Sequence, residues 1–164
     1  MKKRGLLAIM WIYVTISYGQ TMNIEVDSKA KAYAVDSIEI NASVEKVYSL
    51  VSDIGNWPNW FEGVTEVKVN GNIQEGTYFT WKAKGYKIKS KIHTVNNNLA
   101  IGWTGKIWWI KAVHNWRFKS DQNGKTKVIV QENFAGFCSS FMKNSLKSDM
   151  RNDLIILKKA SEKK

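Results

Sequence analysis

Two ionisable residues interrupt otherwise apolar strand faces in the second half of the chain. In the stretch Ile107–Phe118, IWWIKAVHNWRF, every second residue from Trp108 onward is apolar except His114. The next predicted strand, Thr126–Ala135, has an alternate face that is interrupted by Glu132. Alternate residues of a strand lie on one face of a sheet, so both side chains are expected to point inward. A buried carboxylate needs a partner, and an imidazole can supply one.

A hairpin between these two strands would bring the histidine and the glutamate together. With the connecting loop centred near Gln122, His114 faces about Val130, and Glu132 faces about Ala112. The two side chains are then diagonal neighbours, roughly 5–8 Å apart at Cβ. Three roles remain open for such a pair: a mutually satisfied buried contact, an anchor for the polar group of an apolar ligand, or a general base oriented by the carboxylate.

The rest of the chain carries no recognisable catalytic or metal-binding motif. The motifs GxSxG, HExxH, CxxC, GxGxxG and the Walker loop are all missing from the sequence. Of the two histidines, His93 shares a strand face with Lys89 and Lys91 and is predicted to be solvated. We therefore expect neither a bound metal nor another cofactor.

The N-terminus has the three-part pattern of a secretory signal peptide. A basic start, MKKR, precedes an apolar run from Leu6 to Ile16 and small residues at Ser17 and Gly19. We predict that residues 1–19 are a signal peptide and that the protein is exported, to a periplasm or to the medium. An uncleaved N-terminal anchor is the alternative, although the apolar run is short for a membrane span. Cys138 is the only cysteine, so no intramolecular disulfide can form.

The chain is basic, with a net charge of +11. Such a protein can contact anionic membrane surfaces, although a solvated charged surface is the simpler interpretation. The sequence also allows a polyanion-binding surface made of Lys84, Lys87, Lys89, Lys91 and an outward-facing Trp109. Export argues against nucleic acid as the natural partner.

Hydrophobic periodicity outlines one α+β domain. A polar lead-in at residues 20–34 precedes a first strand near residues 33–40, and an amphipathic helix follows. A second short segment, kinked at Gly55 and Pro58, carries several aromatic residues. About six further strands lead to a C-terminal helix over residues 139–160, whose apolar stripe is Met142, Leu146, Met150, Leu154 and Leu157. A curved antiparallel sheet of about six to seven strands must wrap on this helix to bury its stripe.

Three stretches of this chain resemble the SRPBCC or START-like superfamily, in particular its polyketide cyclase/dehydrase and lipid-transport branch. They are SIEINASVEKVYSLVSDIGNWPNWFEGV, then WTGKIWWIKAVHNWRF followed by Gly124 and Thr126, and finally VIVQENFAG. The resemblance implies a single helix-grip domain over residues 35–160, with an internal cavity between sheet and C-terminal helix. It also implies a hydrophobic small molecule or lipid as the ligand.

The function expected from these features is that of an exported binding or carrier protein. The alternative is a small cyclase/dehydratase-type enzyme that uses His114 and Glu132 in the same cavity. Asp153, on the shoulder of the C-terminal stripe, is a weaker polar candidate. The residues predicted to line the cavity are Trp81, Tyr86, Ser90, Trp108, Ala112, His114, Trp116, Glu132 and Met150.

Overall fold

The computed structural model describes residues 22–137 and 139–163. The predicted signal peptide and Cys138 lie outside the described residues. Seven strands are present in the described part: β1 Ala32–Ile40, β2 Val64–Val69, β3 Tyr78–Ala83, β4 Tyr86–Asn96, β5 Ala100–Ile107, β6 Ile110–Ser120 and β7 Thr126–Ala135. The α-helices are α1 Val44–Ser52 and α2 Lys143–Ser161, and 3₁₀ helices span Ile54–Asn59 and Ser139–Met142. The first strand thus begins inside the predicted lead-in, before residue 35.

The strands form one antiparallel sheet in the order β1-β7-β6-β5-β4-β3-β2. Strands β2 to β7 are successive hairpin neighbours, and β1 joins the sheet beside β7. Helix α2 packs mainly on β1 and also contacts β7 and α1. This arrangement confirms the predicted α+β helix-grip fold, with two short helices after the first strand.

The apolar stripe of α2 supplies much of the contact between helix and sheet. Leu146, Met150, Leu154 and Leu157 are each at most 2% exposed. Burying one such side chain contributes about 1.5–3 kcal/mol, so the stripe explains why the helix docks. Met142 precedes α2 and is only half-buried, so the buried stripe is shorter than predicted.

The short segment after α1 places an aromatic side chain at the centre of the core. Trp57 is 1% exposed, and its indole Nε1 donates to the Val51 carbonyl at 3.0 Å. Its ring meets those of Phe61, Phe79, Trp81 and Trp103 at centroid distances between 5.3 and 6.1 Å. The aromatic-rich kink of the sequence therefore builds the core, and it holds Trp81 and Trp103 in place on the inner face of the sheet.

Residues 22–31, here called the N-terminal strap, cross the outer face of the sheet before β1 begins. The Asn23 amide donates to Thr94 Oγ1 at 2.9 Å, and Asn115 Nδ2 donates to the Ile24 carbonyl at 2.9 Å. Further along, the Asp27 amide donates to Asn133 Oδ1 at 3.1 Å. These contacts lie on β4, β6 and β7 in turn, so the strap covers polar side chains that face away from the helix.

The strap overturns the prediction that His93 is solvated. His93 is only 8% exposed, and its Nδ1 lies 2.8 Å from Thr94 Oγ1. A register shift between Ile92 and Thr94 displaces it from the row of outward lysines, and Met22 lies against the same spot near Gly102. Burial lowers the pKa of the His93 imidazole, because the charged form loses water.

The strand predicted to begin at Ile107 is in fact divided by a tight turn. Ile107 ends β5, Trp108 and Trp109 form the turn, and Ile110 begins β6. Trp108 has a positive φ of 49° and is 66% exposed, so its expected inward position is wrong. The alternation in the sequence ran through the turn unbroken, because both turn residues are as apolar as the strands beside them.

Candidate functional site

His114 and Glu132 face each other directly across β6 and β7. Their Cα positions are register partners, and His114 Nδ1 lies 3.1 Å from Glu132 Oε2. The predicted diagonal offset was therefore wrong, although the predicted inward pairing is present. The offset came from the loop: Ser120 pairs with Thr126, which centres the turn on Asn123 and not on Gln122.

Two indole rings flank the His114 imidazole. The Trp103 ring stacks on it with centroids 4.8 Å apart and planes 6° from parallel. The Trp116 ring lies 5.5 Å away, tilted by 30°. Trp103 was not among the predicted site residues, although the structure places it opposite His114 in the β5–β6 register. Placing the turn at residues 108 and 109 would have revealed this partner from the sequence.

The second imidazole nitrogen has no hydrogen-bond partner among the described residues. His114 is 8% exposed, and its Nε2 is buried and unpaired. Trp116 Nε1, on the same face of β6, is likewise buried and unpaired. A neutral imidazole that donates from Nδ1 to a carboxylate presents Nε2 as an acceptor, whereas an indole N–H is only a donor. His114 Nε2 can therefore accept a hydrogen bond from a hydroxyl of a bound molecule, and Trp116 Nε1 can donate one to a carbonyl.

Asp153 adds a third ionisable group from α2. The pKa of its carboxyl is raised to about 7, chiefly by burial; positive charge on His114 opposes this rise, and the negative charge of Glu132 adds to it. Lys84, in the β3–β4 turn, forms an ion pair with Asp149 of α2, and both charges also act on Asp153. Among the described residues, no group of three His, Cys, Asp or Glu side chains is close enough to hold a metal ion.

Toward the β5–β6 turn, the inner face becomes a half-exposed apolar strip. Its members are adjacent on β3 to β7, and each is only partly buried. Small residues occupy its middle, where Gly105 pairs with Ala112. The strip ends next to the His114–Glu132 pair, because β6 and β7 each contribute one member two residues away. We define this strip as Trp81, Ile88, Gly105, Ala112 and Phe134.

The structure brings some of the predicted cavity residues together and separates others. Ser90 is buried next to the strip, and its Oγ accepts from Trp81 Nε1 at 3.1 Å. Met150 is 1% exposed and belongs to the packed core under α2. Tyr86 and Trp108 lie at the tip of the sheet, 50% and 66% exposed, and contact each other there.

Two concavities lie elsewhere on the surface. One, of about 630 Å³, is formed by β1 and α2 and is lined by Asp36, Lys147 and Arg151 among others. The other, of about 290 Å³, lies beside α1 and is lined by Tyr48 and Val95 among others. Neither is lined by any residue that was predicted to line the internal cavity. The candidate site rests instead on the His114–Glu132 contact and the unpaired His114 Nε2, at the end of the apolar strip.

Comparison with solved structures supports the fold. A hypothetical protein from Helicobacter pylori matches with a TM-score of 0.75 at 13% identity, over 98% of this chain and 100% of that chain. A START superfamily protein from Mycobacterium smegmatis matches with a TM-score of 0.71 at 12% identity, over 79% and 97%. The Zhui aromatase/cyclase from Streptomyces sp. R1128 matches with a TM-score of 0.70 at 10% identity, over 79% and 93%.

No curated protein sequence matches the chain. The family model described as polyketide cyclase / dehydrase and lipid transport matches residues 31–162, which cover β1 through α2. The match thus includes the strands that carry His114, Glu132 and Trp103, and the helix that carries Asp153. By fold and by sequence, this chain belongs to the polyketide cyclase/dehydrase and lipid transport family.

Proposed function

We propose that the protein is an exported carrier that holds one hydrophobic small molecule or lipid against the inner face of its sheet. The observation that carries the proposal is the buried, unpaired Nε2 of His114, which lies where the half-exposed apolar strip ends. Ligand sites of this kind combine apolar walls with a few convergent polar groups. The family and the fold support the same class of ligand.

The chemistry of the site defines the ligand's polar end. Glu132 fixes the imidazole through Nδ1, so Nε2 accepts from a hydroxyl or a protonated carboxyl. Trp116 Nε1 donates to a carbonyl of the same molecule. The apolar tail then extends over Ala112 and Gly105 toward the tip of the sheet. An apolar compound without a polar group would leave both nitrogens unpaired, which costs binding free energy.

Native mass spectrometry after mild purification tests this carrier function. The wild-type protein should carry a bound apolar molecule, and organic extraction should release it. Ala112→Trp fills the strip with an indole and should abolish the bound mass. Lys119→Trp, an outward substitution on the same strand, is the matched control and should retain it. A wild-type protein that is always free of ligand, or an Ala112→Trp variant that still carries it, would contradict the proposal.

A second candidate function is dehydration or cyclisation of a bound carbonyl compound. It is favoured by the carboxylate-oriented imidazole together with the Asp153 carboxyl, whose pKa of about 7 allows both protonation states at neutral pH. His114 Nε2 would remove the proton next to a carbonyl. A 3-hydroxyacyl thioester is a suitable probe, because loss of water creates a conjugated double bond that absorbs in the ultraviolet. Turnover that His114→Gln abolishes would establish this activity, and wild-type protein without turnover would favour the carrier.

A further inference from the structure

An exposed aromatic cluster occupies the tip of the sheet, next to the apolar strip. Tyr86, Trp108, Trp109 and Phe137 are between 50% and 76% exposed. They form one surface. The ring of Trp108 lies 5.7 Å from that of Tyr86 and 5.5 Å from that of Trp109. Gly136 lies against the Trp109 backbone, which brings Phe137 beside the turn. We call these four residues the tip cluster.

The backbone of the tip cluster indicates that its exposure is not incidental. Trp108 adopts a φ of 49°, in the left-handed region that suits glycine or asparagine and disfavours bulky side chains. Two-residue hairpin turns ordinarily use Asn-Gly or similar pairs. A Trp-Trp turn is therefore less stable than an Asn-Gly turn would be at this position, and it also exposes a large apolar surface.

A row of lysines borders the tip cluster on the outer face of the sheet. Lys89 pairs in register with Lys106, and Lys106 pairs with Lys111, so three ammonium groups stand side by side across β4, β5 and β6. All three are exposed, and none forms an ion pair with a described carboxylate. Like charges directly opposite each other destabilise a sheet, so the row is suited to an anionic partner outside the chain.

We propose that the tip cluster and this lysine row dock the protein on an anionic lipid bilayer. Trp and Tyr favour the headgroup region of a membrane, and basic side chains are attracted to anionic leaflets. Docking in this orientation directs the open end of the apolar strip toward the bilayer. No helix in the described part of the chain is long and apolar enough to cross a membrane.

Vesicle co-sedimentation tests the docking surface. Vesicles of phosphatidylcholine with 30% phosphatidylglycerol (roughly the anionic content needed for a strong surface potential) are compared with pure phosphatidylcholine. The full chain should bind the anionic vesicles at least about tenfold more tightly. Lys89→Gln/Lys106→Gln/Lys111→Gln should lose most of that preference, and Trp108→Ala/Trp109→Ala should weaken binding by about tenfold or more. All variants keep residues 1–21, so any membrane affinity of that segment is common to them.

A second triple lysine variant tests whether vesicle binding depends on the position of the lysines or only on the net charge of the protein. Lys119, Lys125 and Lys127 are exposed lysines at the opposite end of the β6–β7 hairpin, and Lys119 pairs with Lys127 in register. Replacing these three by Gln removes the same charge and should leave vesicle binding unchanged. Equal loss in both triple variants would overturn the proposal, as would tighter binding to heparin or DNA that the Trp variant retains.

Lipid depth and ligand binding give two independent checks. Brominated phosphatidylglycerol should quench the wild-type protein more than Trp108→Phe/Trp109→Phe, and equal quenching would place the tip cluster outside the bilayer. His114→Ala, measured at a temperature where circular dichroism shows that it is folded, should still bind vesicles, because docking uses none of the interior site. Vesicle binding without a bound ligand would therefore reject the carrier function alone, and a ligand without vesicle binding would reject the docking surface alone.

Discussion

At the scale of single residues, His114 is held by three different contacts. Glu132 pairs with Nδ1, Trp103 stacks on one ring face, and Trp116 tilts against the imidazole. The side chains of His114 and Glu132 are only 10% and 15% exposed. A buried ion pair or hydrogen-bonded pair of this kind is costly to break from one side, because the remaining partner stays buried and unpaired. The buried Nε2 has no hydrogen-bond partner among the described residues, and it is the atom that the proposed ligand would contact.

Removing the imidazole should destabilise the fold mainly through Glu132. His114→Ala leaves a buried carboxylate without its partner, and we expect the free energy of unfolding to fall by about 2–4 kcal/mol. Adding Glu132→Gln to that variant should recover about 1 kcal/mol, because a neutral amide costs less to bury than a charge. Urea unfolding of the wild type, both single variants and the double variant measures this coupling. Strict additivity would contradict the pairing.

Asp153 should make stability depend on pH. Its pKa is about 7 in the fold and 3.8 in the unfolded chain, so the unfolded chain holds fewer protons between these values and stability falls as pH rises from about 4 to 7. Asp153→Asn should therefore raise the free energy of unfolding at pH 8 by about 2 kcal/mol, and by much less at pH 4. Asp53→Asn, which removes an exposed carboxylate after α1, is the control and should not stabilise. A pH-independent gain would show that burial does not perturb Asp153.

At the scale of elements, β5 carries two glycines with opposite surroundings. A Cβ at Gly102 would lie 2.6 Å from His93 Cε1 and 2.7 Å from Met22 Cε, under the N-terminal strap. A Cβ at Gly105 would lie 3.6 Å or more from its nearest neighbours, which is ordinary contact distance. Gly102 thus allows the strap to approach the sheet, whereas Gly105 leaves room on the inner face.

Alanine substitutions at the two glycines should consequently differ. Gly102→Ala should lower the free energy of unfolding by about 2 kcal/mol and speed hydrogen exchange in residues 22–31, because the strap must shift. Gly105→Ala should stay within about 1 kcal/mol of the wild type, with strap exchange unchanged. Thermal unfolding and amide exchange measure both. Similar effects of the two substitutions would contradict the position of the strap.

Some of these elements could be predicted from the sequence, and others depend on contacts between distant segments. Alternation correctly placed His114 and Glu132 on inner faces, and helical spacing identified the α2 stripe. The turn at Trp108 was missed because apolar turn residues do not interrupt an apolar alternation. The burial of His93 was missed because the strap that covers it is polar and has no periodicity of its own.

At the scale of the whole molecule, the two faces of the sheet contact different parts of the chain. The inner face carries α2, the core and the His114 site, while the outer face carries the strap and the lysine row. The proposed ligand path runs along the inner face from the tip cluster to His114. The two histidines of the chain lie on opposite faces of the sheet. His93, on the outer face, can therefore serve as the control for the effect of a ligand on His114.

Nitrogen-15 NMR of the two imidazoles tests the central claim most directly. A lipid extract delivered from cyclodextrin is added to the labelled protein, and the His114 and His93 ring nitrogens are followed. A ligand that binds through Nε2 should shift the His114 Nε2 signal, while the His93 signals under the strap stay in place. Unchanged His114 signals at saturating lipid, or equal shifts at both histidines, would contradict a ligand site on the inner face.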